Sequence, residues 1–492
     1  MIEAREARAA QAKTSRRALA LAAPIAFVTL GAGMLLLYWW GRDLHRFTQW
    51  IAAYVGLFIG QFAMYAVACW LALKWRGQTS RHMWLKLGAI VFFSVAFRAA
   101  LVPQRPYLSV DVYRYVWDGH IQAQKVNPYL YMPDAPEMEP LRDDAKFPNV
   151  NKIYPNMGWW HLRSPYPPAA QAIYLLIYLI HPLSVIAFKT AALVFDLVTV
   201  LALMLVLARS KLDPARAIIF AWHPLVIFEG AHSGHIEAAF MAMLSLALLA
   251  WVSKKPTLTG VALALAALVK FYPALVIPAF MRSTESGGDS RSRSDFTAAH
   301  RFRAALLNRS NLVMLGAFLA TVLVVYMPYA LSGATGFGSL TNEFHEEGFT
   351  GDGVRYFLLA LAHKIGPMPT TIFLVLSVAL LCGFCLRWMI KEKRDVTDVA
   401  RGSASLIALY LILSSPHYSW YYAWIIPFLC FAPSMGWLYL TGASVFMYLL
   451  WYEPLVYPDM PIWLGVAVYV PAVAWLAWEN VKGRRQKAEG RV

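Results

Sequence analysis

The chain has 492 residues, of which 59% are hydrophobic and 15% are charged. These proportions exclude an ordinary soluble globular protein, because repeated apolar runs of about 16 to 25 residues can cross a hydrocarbon core of roughly 30 Å. The net charge of +16 does not indicate a nucleic-acid-binding protein. The basic residues cluster at the ends of the apolar runs, which is typical of cytoplasmic loops.

The apolar runs predict an all-α polytopic transmembrane helical bundle of about 11–13 spans, because lipid-facing backbone groups must be paired within their own helices. The candidate spans are about 18–40, 50–74, 84–103, 184–208, 215–230, 235–252, 311–330, 370–390, 401–414, 419–432, 436–452 and 461–479. We find no internal repeat of the kind that many transporters carry.

The spans and charges divide the chain into five regions. They are a basic cytoplasmic N-terminus (1–17), a transmembrane module (18–281), a cytoplasmic loop (282–310), a second transmembrane module (311–480) and a cytoplasmic tail (481–492). If the N-terminus is cytoplasmic, the third span ends outside, and the first large loop, 104–165, is extracytoplasmic. This loop is too long to be an idle connection and is predicted to carry amphipathic interfacial helices.

Two apolar regions do not fit simple crossings. Residues 166–182 end at His181-Pro182, and a full crossing there would place the basic segment 209–216 outside, so we predict a short re-entrant or interfacial helix. Residues 257–281 are interrupted at Lys270-Phe271-Tyr272-Pro273, which predicts two half-helices lining a cavity. With both adjustments, five segments lie on the extracytoplasmic side: 104–165, 228–237, 270–273, 331–368 and 414–421.

Charged residues are concentrated at the start of the first large loop, in Ser-Val-Asp-Val-Tyr-Arg-Tyr-Val-Trp-Asp-Gly over residues 109–119. Wound as a helix, this stretch places four polar residues within an arc of roughly 100°: Asp111, Arg114, Tyr115 and Asp118. The pattern favours an amphipathic helix at the membrane surface, with its acid side toward water or a cavity. From the spacing alone, Asp111 is either a helix-capping carboxylate or a general base.

A second group of ionisable residues lies between two predicted spans, at Glu229, His232, His235 and Glu237. Ionisable residues near a bilayer cost free energy and usually mark a functional site. This position therefore favours a polar substrate pocket. The i, i+3, i+6 spacing of Glu229, His232 and His235 also fits metal ligands if the segment is helical. Plain interfacial packing is the third interpretation, and Ser233-Gly234 predicts a turn rather than a helix.

Three further positions could contribute to a site at the same membrane edge. Lys270 stands at the predicted helix break and either snorkels to water or offers its charge to a phosphate. His417 begins another span on the same side. It is either a hydrogen-bond donor to phosphate or an aromatic residue at the membrane interface. Tyr166 opens the short apolar segment after the large loop, where aromatic residues are common. Asp196, in the middle of a span, requires a partner, which we predict to be structural.

The ordered set of these motifs resembles the GT-C superfamily of polytopic glycosyltransferases that use polyprenyl-phosphate sugars. It is closest to the bacterial polyprenyl-phosphomannose-dependent alpha-mannosyltransferases. The resemblance covers about residues 100–280 by motif and the C-terminal third by hydropathy and Pro416-His417-Tyr418. The motifs are the 111–119 stretch, Asn127-Pro128-Tyr129, Tyr166-Pro167-Pro168, His223-Pro224-Leu225, Glu229, Gly234-His235-Ile236-Glu237 and Lys270-Phe271-Tyr272-Pro273.

The resemblance implies an inverting transfer in which Asp111 is the general base and polyprenyl phosphate is the leaving group. Mannose is the sugar it favours. The departing phosphate would be met by fixed cations: Lys270, Arg114 and His417. Sugar and acceptor contacts are expected from the remaining polar and aromatic residues: Asp118, Tyr115, Glu229, His232, His235, Glu237 and Tyr166. His235-Ile236-Glu237 departs from the Asn-Asp usual in the family after the glycine-histidine pair, which bears on the sugar bound.

We therefore expect a monomeric enzyme of the bacterial cytoplasmic membrane with its active site on the extracytoplasmic face. Its partners would be a polyprenyl-phosphate sugar, a lipid, glycan or protein acceptor, and membrane lipids, with no nucleic acid. No cofactor is expected; metal independence is favoured, although a divalent cation is an alternative. The competing hypotheses are a transporter or lipid flippase, a non-catalytic membrane scaffold and a metal-dependent membrane hydrolase.

Overall fold

The computed structural model describes residues 24–42, 44, 50–74, 80–282, 297–332, 356–391, 395–451 and 461–488. Every regular element in these ranges is helical, as the composition predicts. One large apolar core joins the N-terminal and C-terminal halves. The predicted N-terminus 1–17 lies outside the described residues, as do most of the loop 331–368, half of the loop 282–310 and the end of the tail 481–492.

The first six helices are α1 (Pro24–Gly41), α2 (Trp50–Lys74), α3 (Ser80–Leu101), α4 (Asp111–Ala123), α5 (Pro168–Ile180) and α6 (Val185–Arg209). Helices α3 and α6 run antiparallel with both pairs of ends side by side. Near one end Lys189 donates to the carbonyl of Leu101, and near the other Lys86 lies 3.2 Å from Asp213. Helix α5 has only 13 residues and is not among the helices long enough to cross a membrane, in agreement with the predicted short helix.

The predicted helix that begins at Asp111 is present, but its surroundings differ from the prediction. Residues 112–121 of α4 are buried on all sides, including Arg114 and Asp118 on the polar arc. Of the two surroundings predicted for the acid side, water or a cavity, water is therefore wrong beyond Asp111, because the folded loop and α5 cover that side. Close packing on α5 requires a glycine at 119, where a Cβ would lie 2.7 Å from the carbonyl oxygen of Tyr174.

The middle of the chain contains interrupted helices. The predicted span 215–230 is a succession of short turns and helices rather than one helix: a 3-10 turn (Pro214–Ala217), α7 (Ile218–Ala221), α8 (Pro224–Ile227) and a π-helical turn (Phe228–His232). His223 precedes Pro224, and the residue before a proline avoids the helical conformation. The chain continues as α9 (Glu237–Val252), α10 (Pro256–Val269), a 3-10 turn (Tyr272–Val276) and α11 (Ile277–Phe280).

The predicted interruption at residue 270 is confirmed, since α10 ends at Val269 and Lys270 is extended.

Arg98 and Asp196 form a buried ion pair of 2.7 Å between α3 and α6, which confirms that the partner of Asp196 is structural. Removing either partner would leave an uncompensated charge inside the bundle.

The C-terminal half contains α12 (Ala298–Leu307), α13 (Arg309–Leu331), α14 (Phe357–Ala362), α15 (Thr370–Ile390), α16 (Val396–Ser414), a 3-10 turn (Ser419–Ile425), α17 (Ile426–Leu429), α18 (Met435–Ala443), a 3-10 turn (Ser444–Trp451) and α19 (Ile462–Ala488). The predicted spans 419–432 and 436–452 thus contain tight 3-10 turns.

Eight helices of the described residues are long and apolar enough to cross a membrane, fewer than the 11–13 predicted. They are α1, α2, α3, α6, α13, α15, α16 and α19. The other predicted spans are shorter or interrupted, because apolar segments that are covered by neighbouring helices need not be continuous helices.

Candidate active site

Five helix ends meet at one end of the bundle: the starts of α4 and α9, the end of α10, and the segments that follow α16 and α18. Side-chain contacts across this junction join residues far apart in sequence. His235 lies against Asp111, Lys270 against Glu237, and Phe357 donates its backbone N–H to Ser415. The five segments predicted to share one side therefore do come together wherever the structure describes them.

Asp111 is the first residue of α4, and its position is set by the turn before the helix. Its backbone N–H donates to the hydroxyl of Ser109, over 3.2 Å. The carboxylate lies at the positive end of the helix dipole, which stabilises its charge. Its side chain is 21% exposed, whereas those of Glu229, His235 and Glu237 are 1–3% exposed. Asp111 therefore forms the accessible edge of an otherwise buried group.

The turn between α8 and α9 brings the second ionisable group to Asp111. The π-helical turn widens the backbone at Glu229, and such turns are frequent at functional sites. Gly234 then has a φ of +76°, which glycine adopts readily. A Cβ at this position would lie 3.0 Å from both Lys189 and Val112. This confirms the predicted turn at Ser233-Gly234 and explains how the next residue, His235, reaches α4.

The imidazole of His235 is surrounded by three carboxylates. Its Nδ1 is 3.5 Å from Asp111 Oδ2 and 3.9 Å from Glu237 Oε2. Its Nε2 is 3.5 Å from Glu229 Oε2. The ring stacks on Trp420, with the centroids 4.1 Å apart and the planes 24° from parallel. We refer to Asp111, Glu229, His235, Glu237 and Lys270 as the acid cluster.

The two glutamates of the acid cluster each have a fixed partner. Tyr448 donates its hydroxyl to Glu229 over 2.6 Å, which ties the site to the C-terminal half of the chain. Lys270 donates to Glu237 over 2.8 Å. The ammonium of Lys270 also lies 3.9 Å from the centroid of Tyr421 and 5.6 Å from that of Trp424. A carboxylate and aromatic faces thus hold this buried cation in place.

Burial raises the pKa of Asp111 above its ordinary value, while the neighbouring His235 and Lys270 lower it. Desolvation is the larger effect, because it disfavours the charged carboxylate. A raised pKa makes the Asp111 carboxylate a stronger base than an exposed aspartate. A partly exposed carboxylate with a perturbed pKa is the property expected of a general base.

Arg114 and Asp118 lie on the loop side of α4, where each makes several hydrogen bonds. Arg114 donates to Asp118 over 2.9 Å and to the carbonyls of Trp159 and Leu162. Asp118 also accepts from Ser164 and Gln171. These contacts fold the large loop onto α4 and α5. The predicted roles of Arg114 at phosphate and Asp118 at the sugar stay predictions, and the geometry gives both residues a structural role.

The remaining predicted site residues are Tyr115, Tyr166, His232 and His417. Tyr115 stacks on Tyr174 and meets Tyr166 edge to face. The ring of His232 lies 4.1 Å from that of Tyr107. His417 lies in the segment after α16 that contains Trp420 and is partly exposed. Their predicted contacts with substrate stay predictions.

The spacing of Glu229, His232 and His235 also suggested metal ligation. Within the described ranges, no three His, Cys, Asp or Glu side chains are grouped so that they could hold a metal ion. His235 contacts carboxylates and Trp420, whereas His232 contacts Tyr107. The expected independence of metal stays a prediction.

Sequence reasoning missed two contributors to the acid cluster. Trp420 forms a wall against His235 and Tyr448 anchors Glu229. Trp420 follows Pro416-His417-Tyr418 closely, but aromatic residues at membrane interfaces are too common to signal a site. Tyr448 lies in an apolar run, and nothing in its sequence surroundings signals a partner.

Comparison with known proteins gives two family matches. The model of the alpha-(1->6)-mannopyranosyltransferase N-terminal domain matches residues 15–284. The model of glycosyltransferase family 87 matches residues 165–416. No individual curated protein and no solved structure matches the chain. Each family model covers more than half of the chain, and the first match includes all five residues of the acid cluster. The chain therefore belongs to the alpha-(1->6)-mannopyranosyltransferase family and is a polytopic membrane glycosyltransferase.

Proposed function

We propose that this glycosyltransferase moves a mannosyl group from a polyprenyl-phosphate donor to an acceptor hydroxyl, with inversion at the anomeric carbon and Asp111 as the general base. In this single displacement the acceptor oxygen bonds to the anomeric carbon while the bond from that carbon to the phosphate oxygen breaks. The proton of the hydroxyl passes to Asp111, and polyprenyl phosphate leaves with the bonding electrons.

The observation that carries the proposal is the position of Asp111 at the edge of the acid cluster. Its carboxylate is partly exposed, and the side chains behind it are buried. A hydroxyl has a pKa far above neutrality, so a base must take its proton as attack proceeds, which typically accelerates reaction by about 10²–10⁴-fold. His235 lies on the inner side of Asp111, which leaves the outer side for the acceptor.

Lys270 supports a donor site next to this base. The departing phosphate gains negative charge, which a fixed cation stabilises. In this proposal the phosphate lies at Lys270 and the prenyl chain stays in the surrounding lipid. The pair with Glu237, 2.8 Å away, holds that cation in place.

We place this reaction at a bacterial cytoplasmic membrane, and the charge pattern supports an active site on its extracytoplasmic face. Basic residues accumulate at the bundle end opposite the acid cluster, at Lys74, Arg209, Lys211 and Lys254. Such residues favour the cytoplasmic side. The acceptor hydroxyl would then belong to a lipid, glycan or protein that reaches the outer face.

The proposal is tested by substituting Asp111→Asn, which preserves shape and removes the base. Purified protein in liposomes should be folded and should lose transfer from radiolabelled polyprenyl-phosphate mannose by at least about 10²-fold. Labelled product from a membrane extract is measured by thin-layer chromatography, and a panel of other polyprenyl-phosphate sugars tests the choice of mannose.

Asp134→Asn is the matched control, because Asp134 is an exposed aspartate of the same loop that contacts His161. This variant should retain transfer. Near-normal turnover by Asp111→Asn would refute the assignment of the base. Uptake of the donor lipid without labelled product, in the unsubstituted protein, would instead favour a flippase.

A further inference from the structure

A cavity of about 240 Å³ lies at the bundle end opposite the acid cluster. It is formed by the turn between α9 and α10, the residues after α11 and the start of α13. Helix α9 begins in the acid cluster at Glu237 and ends at Val252 beside this cavity. Its 16 residues separate the two places by about 24 Å. The cavity is therefore distinct from the proposed transfer site.

Among the residues that the structure describes, three cations and no carboxylate line the cavity: Lys254, Lys255 and Arg282. The guanidinium of Arg282 lies 4.1 Å from the ring centroid of Trp251 and donates to its carbonyl over 2.9 Å, which fixes its direction. Lys254 and Lys255 form no ion pair with any residue that the structure describes. This concentration of positive charge at a concave surface favours an anionic ligand.

The start of α13 forms one wall of the cavity but is already capped. Asn308 accepts from the backbone N–H groups of Ser310 and Asn311, and all three residues line the cavity. The attraction for an anion therefore comes from the three side-chain cations. A phosphate group, with its charge spread over several oxygens, can meet more than one of them.

The borders of the cavity are apolar on the membrane side. Leu258 and Leu312 are each adjacent in sequence to a lining residue and are 58% and 52% exposed. Farther along α13, Leu319 and Leu323 are 60% and 67% exposed. An anion in the cavity would therefore have lipid-facing surface next to it, along which acyl chains can lie.

We propose that this cavity binds the phosphate headgroup of an anionic membrane phospholipid, whose acyl chains lie along the exposed leucines of α10 and α13. The same cations would also attract inorganic phosphate. The apolar border favours the lipid, because a free anion gains nothing from exposed leucines. The site requires neither the base nor the sugar donor, so its test is independent of the transfer reaction.

The test uses the full chain purified in a neutral detergent, with phosphatidylglycerol, phosphatidylcholine or inorganic phosphate added separately. Phosphatidylglycerol should raise the Tm by about 2–4 °C and be retained in native mass spectra, whereas the other two should do neither. The double variant Lys254→Asn/Lys255→Gln should lose at least half of the rise in Tm. Asparagine suits position 254, where φ is +55°.

The matched control is Arg209→Gln/Lys211→Asn, which removes two exposed cations at the same bundle end, one of them at a φ of +58°. This pair lies outside the cavity and should keep the full response. Equal losses in the two double variants would overturn the proposal in favour of general charge attraction. A full response to inorganic phosphate alone would overturn the lipid as ligand. If the cavity double variant does not fold, each single variant is compared with Lys211→Asn.

Discussion

At the scale of single residues, the acid cluster combines groups that would be unstable in isolation. Glu237 and Lys270 are almost fully buried and 2.8 Å apart, so each charge compensates the other. Asp111 differs from both, because it keeps contact with the surface at the start of α4. In the proposed reaction, this difference in exposure distinguishes the carboxylate that takes the proton of the substrate from the carboxylates that hold the pocket together.

The raised pKa of Asp111 predicts the acid limb of the pH profile. The base acts when ionised, so activity falls as pH decreases through the pKa of Asp111. Because burial raises that pKa, the midpoint of kcat/KM should lie above the ordinary aspartate value of about 3.9. A phosphodiester donor does not titrate in this range. The profile is measured with Asp134→Asn as the control, and a midpoint at or below the ordinary value would contradict this prediction.

The pair of Glu237 and Lys270 predicts a non-additive response to substitution. Lys270→Met leaves Glu237 buried without its cation and should destabilise the protein by about 3–5 kcal/mol. The double variant Lys270→Met/Glu237→Gln should recover much of this loss, as measured by thermal unfolding. Additive losses would show that the two side chains do not stabilise each other.

The same double variant tests the proposed phosphate contact. It should raise the KM for the polyprenyl-phosphate donor at least about tenfold and leave the KM for the acceptor within about twofold, because only the donor carries the phosphate. Equal changes in both constants would argue against Lys270 at the phosphate.

At the scale of elements, the turn from 228 to 236 determines the geometry of the acid cluster. It contains a π-helical turn and one residue of positive φ, and it directs His235 to α4 while Glu237 starts α9. Neighbouring side chains on one short segment thus reach different helices. If the proposed reaction is correct, the positive φ of Gly234 is needed for the geometry around the base as well as for packing.

Gly234→Ala should reduce transfer by at least about tenfold, because a Cβ at φ +76° is strained and would press on Lys189 and Val112. The expected result is folded protein with a displaced His235, measured by kcat and by thermal unfolding. Gly316→Ala on α13 is the control, since its Cβ would meet nothing within 4 Å. Equal activities of the two variants would contradict this role for the turn.

Sequence patterns predicted some of these elements and not others, for identifiable reasons. The break at Lys270 was predictable because a lysine and Tyr272-Pro273 interrupt an apolar run. The π-helical turn within 215–230 and the 3-10 turn within 419–432 were not, because apolar residues suit a continuous span as well as such buried turns. The amphipathic pattern of residues 111–119 predicted helix α4. It could not predict that the helix is buried, because the loop that covers it is formed by residues 130–164.

At the scale of the whole molecule, contacts between distant segments close the site at one end of the bundle and leave the opposite end basic. The sequence predicted which segments share a side, because charge and span lengths constrain topology. It did not predict that Trp420 and Tyr448 would complete the site. Those contacts depend on how the two halves pack, and hydropathy carries no information on that packing.

The proposed orientation predicts which positions an impermeant maleimide can reach. In a chain whose four cysteines are replaced by alanine, Glu139→Cys in the large loop should be labelled in intact spheroplasts. Arg209→Cys at the end of α6 should be labelled only after permeabilisation. Both positions are exposed in the structure, so accessibility alone does not separate them. The reverse pattern would place the acid cluster at the cytosol.

The hydrogen bond from Tyr448 to Glu229 spans 219 residues of sequence, and this has a consequence for biosynthesis. During translation the nascent chain inserts Glu229 long before its phenolic partner leaves the ribosome. Until the last helices arrive, that carboxyl group lacks its anchor and the aromatic wall at His235 is absent. A polypeptide that stops near residue 284 would therefore contain Asp111, the proposed base, and still lack the side chains of Trp420 and Tyr448 that complete the site.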